Sequence, residues 1–205
     1  MSVKIKICGL TRPQDIQYVN EALPDYIGFV FAKSKRQVTS EIAEQLRNRL
    51  DSSITPVGVF VNEDIDKITT LCKKGIIDII QLHGDERADY IEALRQKINN
   101  PIIKAVRVRD SESVKAACSL PCDYLLLDTY SGNDYGGTGK AFDWRLISDT
   151  ARPFFLAGGI SAENAETAIK NIRPYCLDVS SGVETDCLKD RNKILNIVNL
   201  VRSVK

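Results

Sequence analysis

The stretch PVGVFV (Pro56–Val61) is followed, after Asn62, by apolar residues at positions 65, 68, 71 and 72. The first part is rich in β-branched and aromatic residues, which favours a β-strand. The second part repeats at helical spacing, which indicates an amphipathic helix. A strand followed by such a helix is the repeating unit of parallel-sheet proteins, so this stretch predicts that architecture.

The same unit recurs along the chain. Further β-rich runs start roughly 20 to 30 residues apart, at Val3–Ile7, Tyr26–Phe31, Ile76–Leu82, Ile102–Val108, Tyr124–Leu127, Phe154–Ala157 and Cys176–Val179. Further helical stripes lie at 42–50, 90–98, 165–172 and 194–201. Thr39 and Ser40 precede the first of these and are its candidate N-caps. Eight such units predict an α/β fold, a compact (β/α)8 barrel forming one domain over residues 1–205. A doubly wound open sheet is the alternative, but CGLT (Cys8–Thr11) lacks the G-x-G-x-x-G pattern that often follows its first strand.

Composition excludes several classes of partner. The 28 basic and 27 acidic side chains leave a net charge of +1, which gives no electrostatic basis for binding nucleic acid or an anionic membrane. The longest uncharged stretch has 11 residues, Ser52–Asn62, whereas a membrane-spanning helix needs about 20. The N-terminal residues lack the apolar block of a signal peptide, so we predict a cytoplasmic protein with reduced cysteines. One histidine and no paired C-x-x-C motifs argue against a structural zinc site, and we expect no metal.

Polar residues collect where the predicted strands end. In a (β/α)8 barrel the C-terminal ends of the strands carry the chemistry. Cys8, Arg36, His83, Asp128 and Asp178 all fall at such ends or just after them. Each alone could be a core, cap or turn residue, but together they predict one site at the barrel mouth.

Two small-residue segments predict a phosphate site. Gly158 and Gly159 follow strand 7, and Ser181 and Gly182 follow strand 8, where barrels often bind phosphate through backbone N–H groups. Tight turns are the alternative interpretation. The segment GGTGK (Gly136–Lys140) looks like a P-loop but lacks the first glycine and the final Ser or Thr, so we expect a mobile flap over the site. A thiol, a carboxylate and a phosphate site indicate proton transfer on a phosphorylated small molecule.

Longer motifs give a more specific indication. They are KICGLTR (Lys6–Arg12), GFVF (Gly28–Phe31), VGVFVN (Val57–Asn62), QLHG (Gln81–Gly84), GGTG (Gly136–Gly139), LAGGI (Leu156–Ile160) and DVSSGVE (Asp178–Glu184). In this order, over nearly the whole chain, they resemble the phosphoribosylanthranilate isomerase family. The stretch TDCLK after Glu184 departs from the family pattern, and we expect it to affect only the rim of the phosphate loop.

The resemblance implies an Amadori rearrangement of N-(5-phosphoribosyl)anthranilate in tryptophan biosynthesis, without a cofactor. It implies that Asp128 is the general acid, that Cys8 is the general base as a thiolate, and that Arg36 holds the anthranilate carboxylate. We assign substrate binding to the remaining positions, namely His83, Gly137, Gly158, Gly159, Asp178, Ser181 and Gly182. The predicted partner is the phosphosugar substrate, and the resemblance also allows contact with other enzymes of the tryptophan pathway.

Three other functions remain open at this point. Another phosphosugar isomerase, or a neighbouring indole-pathway enzyme, would carry Asp or Lys in place of Cys8. A non-catalytic phosphosugar-binding barrel would have lost the acid or the base. A redox or metal protein would need clustered thiols.

Overall fold

Eight parallel strands close into a barrel in the computed structural model of this chain, which describes residues 2–129, 143–147, 150 and 152–204. The strands are β1 (Lys4–Cys8), β2 (Tyr26–Val30), β3 (Thr55–Phe60), β4 (Ile79–Leu82), β5 (Ile102–Val108), β6 (Tyr124–Thr129), β7 (Phe154–Leu156) and β8 (Cys176–Val179). They pair in sequence order, and β8 pairs with β1 with Asp178 opposite Lys6. The predicted (β/α)8 barrel is confirmed.

Helices follow seven of the eight strands in the part of the chain that the structure describes. They are α1 (Pro13–Ala22), α2 (Ser40–Arg47), α3 (Ile65–Lys73), α4 (Ala88–Arg95), α5 (Ser111–Ala117), α6 (Ala165–Ile172) and α7 (Arg191–Ser203). Between β6 and β7 the described residues include only a short 3₁₀ helix, Trp144–Leu146. The five predicted helical stripes are helices. Helices α1 and α5 were not predicted, although α1 buries Ile16, Val19 and Ala22 at helical spacing. No helix among the described residues is long and apolar enough to cross a membrane.

Local signals set the helix starts. Thr39 caps α2 by accepting a hydrogen bond from the Ile42 N–H, as predicted. Asp190 caps α7 in the same way, through the Lys193 N–H. The strand predicted over Ile76–Leu82 is shorter, because Ile76 and Ile77 lie in the buried turn after Gly75, which has positive φ.

Side chains alternate between two cores, as a barrel requires. The outer faces of the strands pack against the helices in the larger core. The inner faces form a second cluster, which consists of Tyr26, Val57, Ile79, Ile103, Ala105, Leu126, Phe155, Ala157 and Cys176. On β1 the apolar residues Ile5 and Ile7 belong to the outer core, so Lys6 and Cys8 point into the barrel. The alternation in the first strand therefore places a lysine inside the barrel rather than in solvent.

A buried ion pair fixes the loop between β4 and α4. The ammonium group of Lys104 lies 2.8 Å from Glu86 Oε2 and donates to the Gly84 carbonyl at 2.6 Å. The other Glu86 oxygen accepts from the Asn62 N–H at 2.8 Å. Glu86 therefore ties the ends of β3 and β5 to the loop that follows His83.

We expect Glu86→Ala to lower the free energy of unfolding by about 3–5 kcal/mol, because it leaves the buried Lys104 ammonium without its counter-charge. Urea unfolding at equilibrium measures this loss. Glu44→Ala, at an exposed position of α2, is the control and should change the same free energy by less than about 0.5 kcal/mol. Equal effects of the two substitutions would show that the Lys104–Glu86 pair does not hold the loop.

Candidate active site

A cavity of about 600 Å³ opens at the C-terminal end of the barrel. Eight of the predicted site residues line it, namely Cys8, Arg36, His83, Asp128, Gly158, Gly159, Asp178 and Ser181. Gly182 lies beside it, against the Ile160 carbonyl, and Gly137 lies outside the described residues, as does the predicted flap. The structure therefore brings together residues that lie far apart in the sequence.

Cys8 ends β1 directly opposite Gly28 of β2. A Cβ atom at Gly28 would lie 2.6 Å from the Cys8 sulfur, so only glycine leaves room for the thiol. Burial raises the pKa of the Cys8 thiol above its ordinary value, and Asp178 adds to this effect. The ammonium groups of Lys6 and Lys189 act in the opposite direction. The resting group is therefore a thiol at neutral pH, poised between two cations that favour the thiolate.

Asp128 lies near the end of β6 and is largely buried. Its Oδ1 accepts a hydrogen bond from the Thr129 N–H at 2.7 Å. Its Oδ2 lies 3.3 Å from His83 Nε2. Two strands, β7 and β8, separate β6 from β1 on one side and four on the other. The carboxyl group and the Cys8 thiol therefore enter the cavity from different sides.

A lysine lies at the centre of the polar groups below the cavity. The Lys6 side chain is fully buried, and its ammonium group lies 3.0 and 2.9 Å from the two oxygens of Asp178. It also donates to Gln81 Oε1 at 2.9 Å. Burial alone would lower the pKa of Lys6, but Asp178 and Cys8 together raise it above its ordinary value. Lys6 is therefore a fixed positive charge next to the Cys8 thiol.

Arg36 reaches the cavity from the loop after β2 and is held there by Glu184. Its Nε and Nη2 atoms donate to the two Glu184 oxygens at 2.7 and 2.8 Å, in the paired geometry that suits a guanidinium. This contact raises the pKa of Arg36. Glu184 also accepts from Lys189 at 2.6 Å. Because a guanidinium has five N–H donors, three remain for another acceptor.

Lys189 shows that the stretch after Glu184 reaches further than the rim of the phosphate loop. That stretch folds into a two-stranded hairpin, β9 (Glu184–Thr185) and β10 (Leu188–Lys189). The hairpin turns the Lys189 side chain inward, where it is 2% exposed and donates to the Ser180 carbonyl at 3.0 Å. The expectation of an effect at the rim alone is therefore wrong, because Lys189 acts electrostatically on Cys8 itself.

The two predicted phosphate loops meet each other. A Cβ atom at Gly182 would lie 2.1 Å from the Ile160 carbonyl oxygen, so the loops after β7 and β8 are in contact there. Ser181 begins a short 3₁₀ helix, Ser181–Val183, and the first N–H groups of a helix have no partner within it. After β7 the helix begins at Ala165, as the stripe over 165–172 predicts, and in the loop before it the Ser161 N–H donates to Asn164 Oδ1. The donors of the first loop are therefore those near Gly159.

Some buried polar groups of the site are absent from the predicted set: Gln81 lines the cavity, and Lys6 and Lys189 act electrostatically on Cys8. Lys6 and Gln81 stand two residues before Cys8 and His83, and alternation along a strand places each on the same face as its neighbour. That spacing is the signal that identifies them. Lys189 carries no such signal, because its position depends on the hairpin. Within the described ranges no three His, Cys, Asp or Glu side chains converge as metal ligands would.

Comparisons with known proteins point to one family. A model of the family described as N-(5'phosphoribosyl)anthranilate (PRA) isomerase matches residues 5–200. The N-(5'-phosphoribosyl)anthranilate isomerase of Endomicrobium trichonymphae is 50% identical over 204 residues, which cover 98% of this chain and 99% of the relative. The same enzyme from Lachnoclostridium phytofermentans is 45% identical over 205 residues, covering 94% of each chain.

Solved structures agree with the sequence comparison. Phosphoribosyl anthranilate isomerase from Thermotoga maritima matches this fold with a TM-score of 0.87 at 35% identity, covering 98% of both chains. A second structure shows a phosphoribosyl anthranilate isomerase in complex with reduced 1-(o-carboxyphenylamino)-1-deoxyribulose 5-phosphate. It matches with a TM-score of 0.84 at 35% identity, again over 98% of both chains. With this fold and these matches, the chain belongs to the N-(5'-phosphoribosyl)anthranilate isomerase family.

Proposed function

We propose that Cys8 is the general base and Asp128 the general acid of the reaction of this family. The chain is an aldose–ketose isomerase of tryptophan biosynthesis, which converts N-(5-phosphoribosyl)anthranilate into 1-(2-carboxyphenylamino)-1-deoxyribulose 5-phosphate. One observation carries the assignment: a thiol and a carboxyl group enter the same cavity from different sides of the barrel.

The reaction needs one proton delivered and one removed. As the bond between C1 and the ring oxygen breaks, that oxygen takes a proton from Asp128, and the nitrogen lone pair forms an iminium with C1. A base then removes the proton from C2, and its bonding electrons form an enol-amine while the nitrogen becomes neutral. Transfer of the enol proton to C1 completes the ketone, and exchange with solvent returns a proton to Asp128 and removes the proton from Cys8. The two steps act on atoms on opposite sides of the sugar, which fits an acid on β6 and a base on β1.

The surroundings of Cys8 suit a base that acts only on the iminium. Burial keeps the resting group protonated at neutral pH, because it raises the pKa of the thiol. Lys6 and Lys189 favour the thiolate, and a positively charged iminium in the cavity would add to their effect. A base with a raised pKa accepts a proton more strongly once it is formed.

The two ends of the substrate have separate binding groups in this proposal. The phosphate binds backbone N–H groups of the loops around Gly159 and Gly182, which also contain Gly158 and Ser181. Gly137 lies outside the described residues and stays a predicted binding residue. The anthranilate carboxylate binds the donors of Arg36 that Glu184 does not use. His83 and Asp178 contact the sugar from the cavity floor. Alternative functions receive less support, because a non-catalytic barrel would have lost the acid or base and other phosphosugar isomerases would replace Cys8.

We propose further that the chain is a single domain acting in the cytoplasm. The eight strands form one closed barrel, which supports a single domain. A base function for Cys8 requires a reduced thiol, which a reducing compartment maintains. Contact with other enzymes of the tryptophan pathway stays a prediction.

Cys8→Ala should lower kcat by about 10²- to 10⁴-fold, the usual contribution of a positioned base. Cys8→Ser should fail similarly, because a hydroxyl is far harder to deprotonate. In the unmodified enzyme, kcat/KM should still rise with pH above about 8.5, the ordinary pKa of cysteine, because burial raises that of Cys8. Steady-state kinetics across pH measures both effects, with Cys72→Ala on α3 as the control. Wild-type turnover by Cys8→Ala would remove Cys8 from the mechanism.

Asp128→Asn should bind the reduced carboxyphenylamino product analogue with nearly unchanged affinity, yet lose about 10²- to 10⁴-fold in kcat. The amide keeps the shape of the carboxyl group but has no acidic proton to give to the ring oxygen. Calorimetry and turnover measured on the same preparation separate the two properties. Asp89→Asn, at an exposed position of α4, is the matched control. The acid assignment is wrong if Asp128→Asn turns over normally.

Gly182→Val should weaken the binding of any phosphosugar, including ribulose 5-phosphate, because a side chain at this position pushes the two phosphate loops apart. Arg36→Ala should weaken the binding only of the carboxyphenylamino product analogue, which carries the benzoate group. The expected loss of affinity is about 10- to 150-fold, because one charge-assisted contact contributes about 1.5–3 kcal/mol. Calorimetric titration of both variants with both ligands tests the orientation. If Arg36→Ala weakens both ligands equally, the proposed orientation must be abandoned.

A further inference from the structure

A continuous line of polar contacts crosses the barrel beneath the cavity. It runs from Asp178 on β8 to Lys6 on β1, then to Gln81 on β4, and reaches His83 in the loop that follows. Gln81 Nε2 lies 2.9 Å from His83 Nδ1, and Gln81 is 1% exposed. The line ends at His83 Nε2, which lies 3.3 Å from Asp128 Oδ2.

Lys6 decides which way the Gln81 amide points. An ammonium group has three donors and no acceptor, so the Gln81 atom that faces it must be the carbonyl oxygen. Lys6 stays charged, because both oxygens of Asp178 lie within 3.0 Å of its ammonium group and raise its pKa despite the burial that opposes its charge. A reversed amide would place the Gln81 NH₂ group against the Lys6 ammonium. Both groups only donate hydrogen bonds, so neither could accept from the other. The NH₂ group therefore faces His83.

The orientation of the amide in turn decides the state of the imidazole. The NH₂ group of Gln81 only donates, so His83 Nδ1 must accept and carry no proton. In a neutral imidazole the proton is then on Nε2. We propose that Gln81 is a positioning residue that holds His83 as its Nε2–H tautomer, with this donor directed at Asp128.

The donor is kept available for the acid step. His83 Nε2 is buried, and it has no aligned hydrogen-bond acceptor among the described residues, although Asp128 Oδ2 is only 3.3 Å away. When Asp128 gives up its proton, its carboxyl group gains a negative charge, and a small shift lets the Nε2–H stabilise that charge. The opposite tautomer would present a lone pair to the carboxylate and repel it. This part of the inference rests on the acid role proposed for Asp128.

The chain contains one histidine, so its ring can be observed without ambiguity. Two-bond ¹H–¹⁵N correlation spectra of the ligand-free protein, recorded at about pH 8 where an ordinary imidazole is neutral, report which ring nitrogen carries the proton. We expect protonated Nε2 and unprotonated Nδ1 in the wild type. Gln81→Glu should move the proton to Nδ1, because a carboxylate only accepts. Gln81→Met should give a mixture of tautomers, and Gln17→Glu, exposed on α1, should leave the spectrum unchanged.

Kinetics links the tautomer to the reaction. Gln81→Met should lower kcat by about 10- to 100-fold, the range for one mispaired buried group, with a smaller change in KM. A wild-type ring with its proton on Nδ1, or in a mixture, would overturn the inference, and this result requires no variant to fold. A wild-type tautomer retained in Gln81→Met would overturn it too. Failure of the acid assignment is distinguishable, because Asp128→Asn would then turn over normally while the ring spectrum stayed as expected.

Discussion

The buried ion pair between Lys6 and Asp178 is the interaction on which the active end of the barrel depends. It joins β1 to β8, the seam at which the barrel closes, and the parallel register places the two residues opposite each other. Both charges are largely buried, and removing one partner of such a pair leaves an uncompensated charge that costs several kcal/mol. The pair also sets the local electrostatics, because Lys6 acts directly on Cys8 and orients Gln81. One contact therefore serves closure of the fold, the protonation state of the proposed base and the geometry near the proposed acid.

The barrel interior divides into an apolar end and a polar end. Near the N-terminal end, Phe155 packs against Tyr26, Tyr124 and Tyr175 with ring centroids 5.5 to 5.7 Å apart. Toward the C-terminal end of the strands, the inward-facing side chains are polar and include Cys8, Gln81, Asp128 and Asp178. The packed apolar layer fixes the positions of the strands, and these strands carry the polar side chains above it.

Much of the fold was predictable because strand and helix periods differ. Runs such as Pro56–Val61 and stripes such as 65–72 identify β3 and α3 almost residue by residue. Helix α5 is too short to show a helical period. Ile76 and Ile77 resemble strand residues, because a buried turn favours the same apolar residue types as a buried strand. At the site, a position at the end of a predicted strand or just after it identified Cys8, His83 and Asp128. It could not identify Lys189, whose burial depends on how a two-residue hairpin folds back, nor the pairing of Arg36 with Glu184, which lies 148 residues away.

A buried cysteine flanked by two ammonium groups resolves an apparent conflict in this site. A strong base must have a high pKa, yet it must also lose its proton readily. Burial raises the pKa of Cys8, whereas Lys6 and Lys189 favour loss of its proton. In the proposed mechanism the remainder of this effect comes from the reaction, since ring opening creates a cation next to the C2 proton that the thiolate would remove. The thiolate form of Cys8 would then be a small fraction before ring opening and a larger one after it. That order would keep the thiol protonated until the substrate has become acidic at C2, so the acid proposed on β6 would act before the base proposed on β1.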